Sequence, residues 1–95
     1  MPKPVDYYQN VIVKSVQKLS DMDYEEWKWR EGYIDFQGIL SIWGSTEKFK
    51  GQKYIAFNNL MGDWFHTGYG EYTIKDSVIT MKTKNSLYEF EIVHK

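Results

Sequence analysis

Two histidines, His66 and His94, and three close carboxylate pairs, Asp21/Asp23, Glu25/Glu26 and Glu89/Glu91, have the side chains that could move protons or hold a metal. Their arrangement fits neither task. The histidines are not spaced like metal ligands, and the chain has no cysteine, which excludes thiolate sites and disulfides. A carboxylate pair works as general acid and base only where burial separates the two pKa values. Each pair here falls in a polar turn or on the outward side of an alternating run, where water solvates both groups. Neither Gly-x-x-x-x-Gly-Lys-Ser/Thr nor Gly-x-Ser-x-Gly occurs, so the chain has no phosphate-binding loop and no nucleophile elbow. The sequence predicts a protein that is not an enzyme and needs neither metal nor cofactor.

What the chain has in excess is aromatic rings: 4 Trp, 8 Tyr and 5 Phe, or 18% of its residues. Each large ring buries roughly 150 to 250 Å², so many must fill the core of so small a domain. The stretch from Gly62 to Gly70 is the best candidate for a functional element, since loops on a rigid scaffold carry function. It places Asp63, His66 and Thr67 beside Trp64, Phe65 and Tyr69. The competing reading is that Trp64 or Phe65 plugs one end of a sheet. A second candidate is the row Tyr33, Ile39 and Trp43, which shares its strand face with Asp35, Gln37 and Ser41. Together Tyr33, Ile39, Trp43, Asp63, Trp64, Phe65, His66 and Tyr69 form the expected partner-binding set, because Tyr and Trp give large contact area at low entropic cost.

The elements that must position these residues are most legible near the C-terminus. Glu71 to Val93 reads as three strands joined by short turns at Asp76-Ser77 and Asn85-Ser86. Pairing about the first turn sets Tyr72 opposite Met81, Ile74 opposite Ile79 and Glu71 opposite Lys82. Pairing about the second sets Met81 opposite Phe90, Ile79 opposite Ile92 and Lys82 opposite Glu89. Side chains alternate faces along a strand, so both registers put the apolar rows on one side and the charged row on the other.

Upstream, residues 1–5 form a Pro-containing lead-in. Val5, Tyr8, Ile12, Val16 and Leu19 recur every three or four residues, which predicts a helix over 6–20 that begins at Asp6 with Gln9 completing a capping box. Val11-Ile12-Val13 opposes this, being β-branched. Tyr24 to Arg30 alternates. With Glu31-Gly32 as a turn it pairs with Tyr33 to Trp43, Trp29 facing Ile34, Trp27 facing Phe36 and Lys28 facing Asp35. Gly38 then falls at a core position and marks a bulge or bend. Gly44 to Gln52, with Lys48 and Lys50, is a polar loop. Lys53 to Asn58 is a short strand with Ile55 and Phe57 on one face and Tyr54 and Ala56 on the other.

The 95 residues make one domain, 1–95, of class α+β. It comprises an N-terminal helix over 6–20 packed on a curved antiparallel meander sheet of about six strands across 24–93, with a partly open small barrel as the limiting form. Acidic and basic residues nearly balance, 13 against 12, and Arg30 is the only arginine, so nucleic acid is not an expected partner. No apolar run approaches the roughly 20 residues of a membrane helix. These features predict a small cytoplasmic binding protein acting through protein–protein contact, as an adaptor, inhibitor or immunity-type factor. An exposed edge strand would offer a route to a homodimer. The alternative is a carrier of a small hydrophobic ligand held among Trp27, Trp29, Phe36, Tyr72 and Phe90. Its layout resembles lipocalin-like barrels in architecture alone.

Overall fold

A computed structural model describes residues 4–44, 52–59 and 61–93. Among the described residues seven strands follow one another: β1 (Asp6–Lys18), β2 (Gln37–Gly44), β3 (Lys53–Asn59), β4 (Trp64–His66), β5 (Gly70–Lys75), β6 (Val78–Thr83) and β7 (Ser86–Ile92). Every pairing is antiparallel. The sheet closes on itself through β1–β7 and β2–β3, and among the described residues β4 pairs with β3 alone. Six strands therefore form a closed barrel. Val11, Val13, Leu40, Ile42, Ile55, Phe57, Ile79, Met81, Tyr88 and Phe90 fill it, each no more than 2% exposed. Barrels of fewer than about eight strands are packed by their own side chains in this way.

The N-terminal helix expected over 6–20 is instead the longest strand, β1. Its inward positions are Tyr8, Val11, Val13 and Val16, as their partners Leu40, Gly38, Phe90 and Tyr88 show. Register shifts between Tyr8 and Val11 and between Val13 and Ser15 mark two β-bulges. Each bulge adds a residue and resets the alternation. A period of two broken twice imitates the three-to-four spacing of a helix, and the β-branched run Val11-Ile12-Val13 decides the conformation. Ile12, expected on the apolar helix face, points outward opposite Gln37 and Glu91.

The strand expected over Tyr24 to Arg30 is also absent. Tyr24–Trp27 forms α1, a single helical turn, and Lys28–Tyr33 continues as a 3-10 helix. The Asp23 carbonyl accepts the N–H groups of Glu26 and Trp27, both at 3.1 Å. Glu25 and Glu26 lie where the helix dipole favours negative charge, and Lys28 pairs back with Glu25 rather than with Asp35. Trp27 drops into the core, 1% exposed, while Trp29 stays 46% exposed, so these two indoles do not share a sheet face. The Trp27 indole donates to Ser86 Oγ at 2.8 Å, and Arg30 Nε donates to Tyr88 Oη at 3.3 Å. These bonds tie the helical segment to the start of β7.

The hairpin about Asp76-Ser77 has the expected register, Tyr72 with Met81, Ile74 with Ile79 and Glu71 with Lys82. Both turn residues take positive φ, 51° and 67°, as tight hairpin turns require. The next hairpin is displaced. Ile79 meets Phe90, Met81 meets Tyr88 and Lys82 meets Leu87, so the turn is centred on Lys84-Asn85. A shift of the partner by two residues preserves the buried face but substitutes Tyr88 for Ile92 within it. Thr83 Oγ1 brackets this turn, accepting the Ser86 N–H at 3.2 Å and donating to the Ser86 carbonyl at 3.3 Å. Ile74, expected in the core, is 42% exposed, because β5 meets β3 only at Gly70 and its far half has β6 alone beside it.

Two glycines permit the closure. A Cβ on Gly38 would lie 2.3 Å from the Asn58 carbonyl oxygen, and one on Gly70 would lie 1.9 Å from that of Lys82. Gly38 sits between β1 and β3, and Gly70 between β3 and β6. At both points only a residue without a side chain lets the strands approach.

Candidate functional site

Alternation on β2, β3 and β4 fixes what the barrel presents on one side. Leu40, Ile42, Ile55, Phe57 and Phe65 point inward and are buried. Outward come Gln37, Ile39, Ser41 and Trp43 from β2, Tyr54, Ala56 and Asn58 from β3, and Trp64 and His66 from β4. The registers align them in rows: Ile39–Asn58–Trp64, Ser41–Ala56–His66 and Trp43–Tyr54. Tyr7 of β1 extends the middle row beside Ser41 and is 49% exposed. The small residues Ser41 and Ala56 form a low floor with rings around it.

Those rings touch one another. The Trp64 and His66 rings stack at 6.1 Å with an interplanar angle of 22°, and Tyr54 meets His66 at 6.1 Å and Tyr69 at 5.5 Å, both edge to face. Trp43 Nε1–H donates to Ser41 Oγ at 2.9 Å, which lays its indole along the strand toward the floor. Trp64 is 64% exposed. Tyr54, His66, Thr67, Gly68 and Tyr69 also line an open depression of about 330 Å³ beside this face.

Formal charge is absent from these outward positions of β2, β3 and β4. The outward positions of β5, β6 and β7, by contrast, carry Glu71, Lys75, Lys82, Glu89 and Glu91. The barrel thus has a charged side, which water solvates well, and an aromatic neutral side. Single exposed apolar residues are ordinary, but a contiguous patch of them is not.

Of the residues expected to bind a partner, the structure brings Ile39, Trp43, Trp64, His66 and Tyr69 onto or beside this one surface. Two go elsewhere. Phe65 is 4% exposed and packs inside against Phe57 and Tyr88. Tyr33 belongs to the 3-10 helix rather than to β2, with its ring 4.5 Å from that of Phe65 and its hydroxyl donating to the Trp64 carbonyl at 3.0 Å. Asp63 is exposed at the turn before β4, where its backbone N–H donates to Asn59 Oδ1 at 2.9 Å. The stretch from Gly62 to Gly70 is therefore a short strand between loops, with Thr67 pinning its end through Ile55. Tyr7, Tyr54 and Ala56 complete the surface and were not among the expected residues. The alternation of Tyr54 and Ala56 was legible, but which strands lie side by side was not, and Tyr7 fell within the expected helix.

The five residues grouped as a ligand cavity lie at different depths. Phe90 and Trp27 are fully buried in the packed core, Phe36 and Tyr72 lie against it, and Trp29 is half-exposed against the outer end of Phe65. The carboxylates are dispersed as well. Asp21, Asp23, Glu25 and Glu26 are exposed, Glu89 accepts from Ser15 Oγ at 2.6 Å, and Glu91 pairs with Lys14 at 3.6 Å. His66 Nδ1 lies 3.3 Å from its neighbour's carbonyl, Thr67 O. Lys48, Lys50 and His94 lie outside the described residues. Among those described, no group of three metal-ligating side chains converges and no helix is long and apolar enough to cross a membrane.

Fold and site together define a small closed antiparallel barrel with an uncharged aromatic outer face on β2, β3 and β4. Compared with known proteins, the chain matches no protein-family model, and neither a curated protein nor a solved structure is significantly similar to it.

Proposed function

We propose that this chain is a non-catalytic binding protein that docks on another protein through the outer face of β2, β3 and β4. The observation that carries this reading is the uncharged aromatic sheet face, with Trp64 64% exposed at its margin, on a barrel whose other side is charged. Interface cores are depleted in charge and enriched in Trp and Tyr, and a ring already held by its neighbours loses little entropy on docking. Trp43, fixed by Ser41, and Trp64, stacked on His66, are the anchors. An adaptor, an inhibitor or an immunity-type factor works by such a surface alone. A chain without cysteine suits a reducing compartment, and the same reading places it in the cytoplasm.

The test is capture of a partner from an extract of the protein's own source by the tagged chain, alongside Trp43→Ala and Trp64→Ala variants checked for an unchanged melting curve. Loss of a stoichiometric partner with either folded variant supports the site. Equal capture by both removes it.

A further inference from the structure

Strand β4 has a second side. The Thr67 N–H donates to the Ile55 carbonyl at 2.8 Å, and the Asn59 N–H to the Asp63 carbonyl at 2.8 Å. Residues 63, 65 and 67 therefore turn their backbone groups toward β3. In an antiparallel pair the intervening residues turn theirs the opposite way. Trp64 and His66 thus aim their N–H and C=O groups away from the sheet, at an edge where β4 has no neighbouring strand among the described residues. Tyr33 Oη already meets the Trp64 carbonyl. That leaves the Trp64 N–H, the His66 N–H and the His66 carbonyl as a row with backbone spacing.

Edges are commonly guarded by lysine, proline or an inward charge. The far half of β5, which also lacks a second neighbour, carries Lys75. β4 reads Trp-Phe-His and has no such guard. Its two sides are aromatic as well: Trp64 and His66 stack outside, and Phe65 lies inside with Tyr33 and the half-exposed Trp29 against it.

We infer that β4 is completed by an extended segment of the partner protein, uncharged and apolar at alternate positions, which adds to the barrel as a strand. Backbone hydrogen bonds to the Trp64 and His66 edge set its register. Its outward side chains continue the rows that end at Trp64 and His66, where neither row carries formal charge, so an uncharged segment is the complement. Two copies paired through three residues each would bury far less than the roughly 1,200 Å² of a stable interface, which favours a longer partner segment over a second copy. The inference rests on the protein-binding reading and specifies how the partner engages.

Twelve-residue random peptides displayed on phage and selected on the folded chain provide the probe. Enriched peptides should alternate apolar residues, slow exchange of the Trp64 and His66 amide protons at least tenfold, and lose binding when their alternate amides are N-methylated. His66→Pro removes an edge donor without touching the β3 ladder, and should weaken the same peptides at least tenfold. If that variant does not fold, the N-methyl series on the unaltered chain decides. Binding that perturbs the Trp43 and Tyr54 signals but leaves both edge amides exchanging freely overturns the strand addition while sparing the docking face. Failure to enrich any peptide overturns it too, as does a concentration-dependent dimer that protects these amides without peptide.

Discussion

Ser86→Ala tests how the helical segment is held against the barrel. The Trp27 indole N–H donates to Ser86 Oγ at 2.8 Å, and both residues are only 1% exposed. Removing the hydroxyl takes away one atom and leaves scarcely any cavity, so its effect is electrostatic: a buried N–H loses its acceptor where water does not reach. Such a group costs about 1–3 kcal/mol. With about 4–8 °C of melting temperature per kcal/mol in a domain of this size, a loss near 2 kcal/mol lowers the midpoint by about 8–16 °C. The bonds that bracket the β6–β7 turn use the Ser86 backbone and persist. Trp27→Phe in the same background should cost less than it does alone, because removal of both partners leaves nothing unpaired. The assay is urea unfolding of the two single variants and the double variant, followed by far-UV circular dichroism. A loss below about 0.5 kcal/mol for Ser86→Ala, the range of a surface change, would refute the claim that this bond anchors the segment. The claim bears on function, since the same segment delivers Tyr33 to the Trp64 carbonyl.

Gly70→Ala drives a Cβ to 1.9 Å from a backbone oxygen and Gly38→Ala to 2.3 Å, whereas Gly32 has open space around it. Both closure glycines should cost more than about 3 kcal/mol, at or beyond the usual upper end of overpacking, while Gly32→Ala stays near neutral in a chemical denaturation series. Burial and the hydrogen bond donated to Asp6 Oδ2 at 2.8 Å push the Tyr8 phenol up to about 12. The folded state holds that proton more tightly than the unfolded chain, so the contribution is complete below pH 10 and lost between about pH 10 and 12. Urea midpoints at pH 9 and pH 11 should fall less in Tyr8→Phe than in the unaltered chain. Trp64→Ala, at a position 64% exposed, should change stability by less than about 1 kcal/mol in the same measurement, which makes it a clean variant for binding studies.

The C-terminal hairpins were legible because alternation and turn residues act locally. Asp76-Ser77 set its register correctly, and the error at Asn85-Ser86 was an even number of residues, which the alternation cannot detect. Ser86 is drawn inward by Trp27, 59 residues earlier in the chain, a cause that no local pattern contains. The N-terminus misled for a similar reason. One bulge of β1 falls within its pairing to β2 and the other within its pairing to β7, and their residue spacing counterfeits a helix. Tyr24 to Arg30 alternates by accident, and the first-turn carboxylates with the Asp23 carbonyl hold it helical. At the candidate site the individual rings stood out, yet joining Trp43 to Tyr54 and Ala56 to His66 needed the strand order.

In the proposed complex the neutral face of β2, β3 and β4 meets a protein partner. Hydrogen–deuterium exchange on the complex, compared peptide by peptide with the free chain, tests it most directly. Docking on this face slows exchange over residues 37–44, 53–59 and 63–69 and leaves the hairpins of β5, β6 and β7 unchanged. Protection confined to those hairpins, or to the segment 24–33, would contradict it.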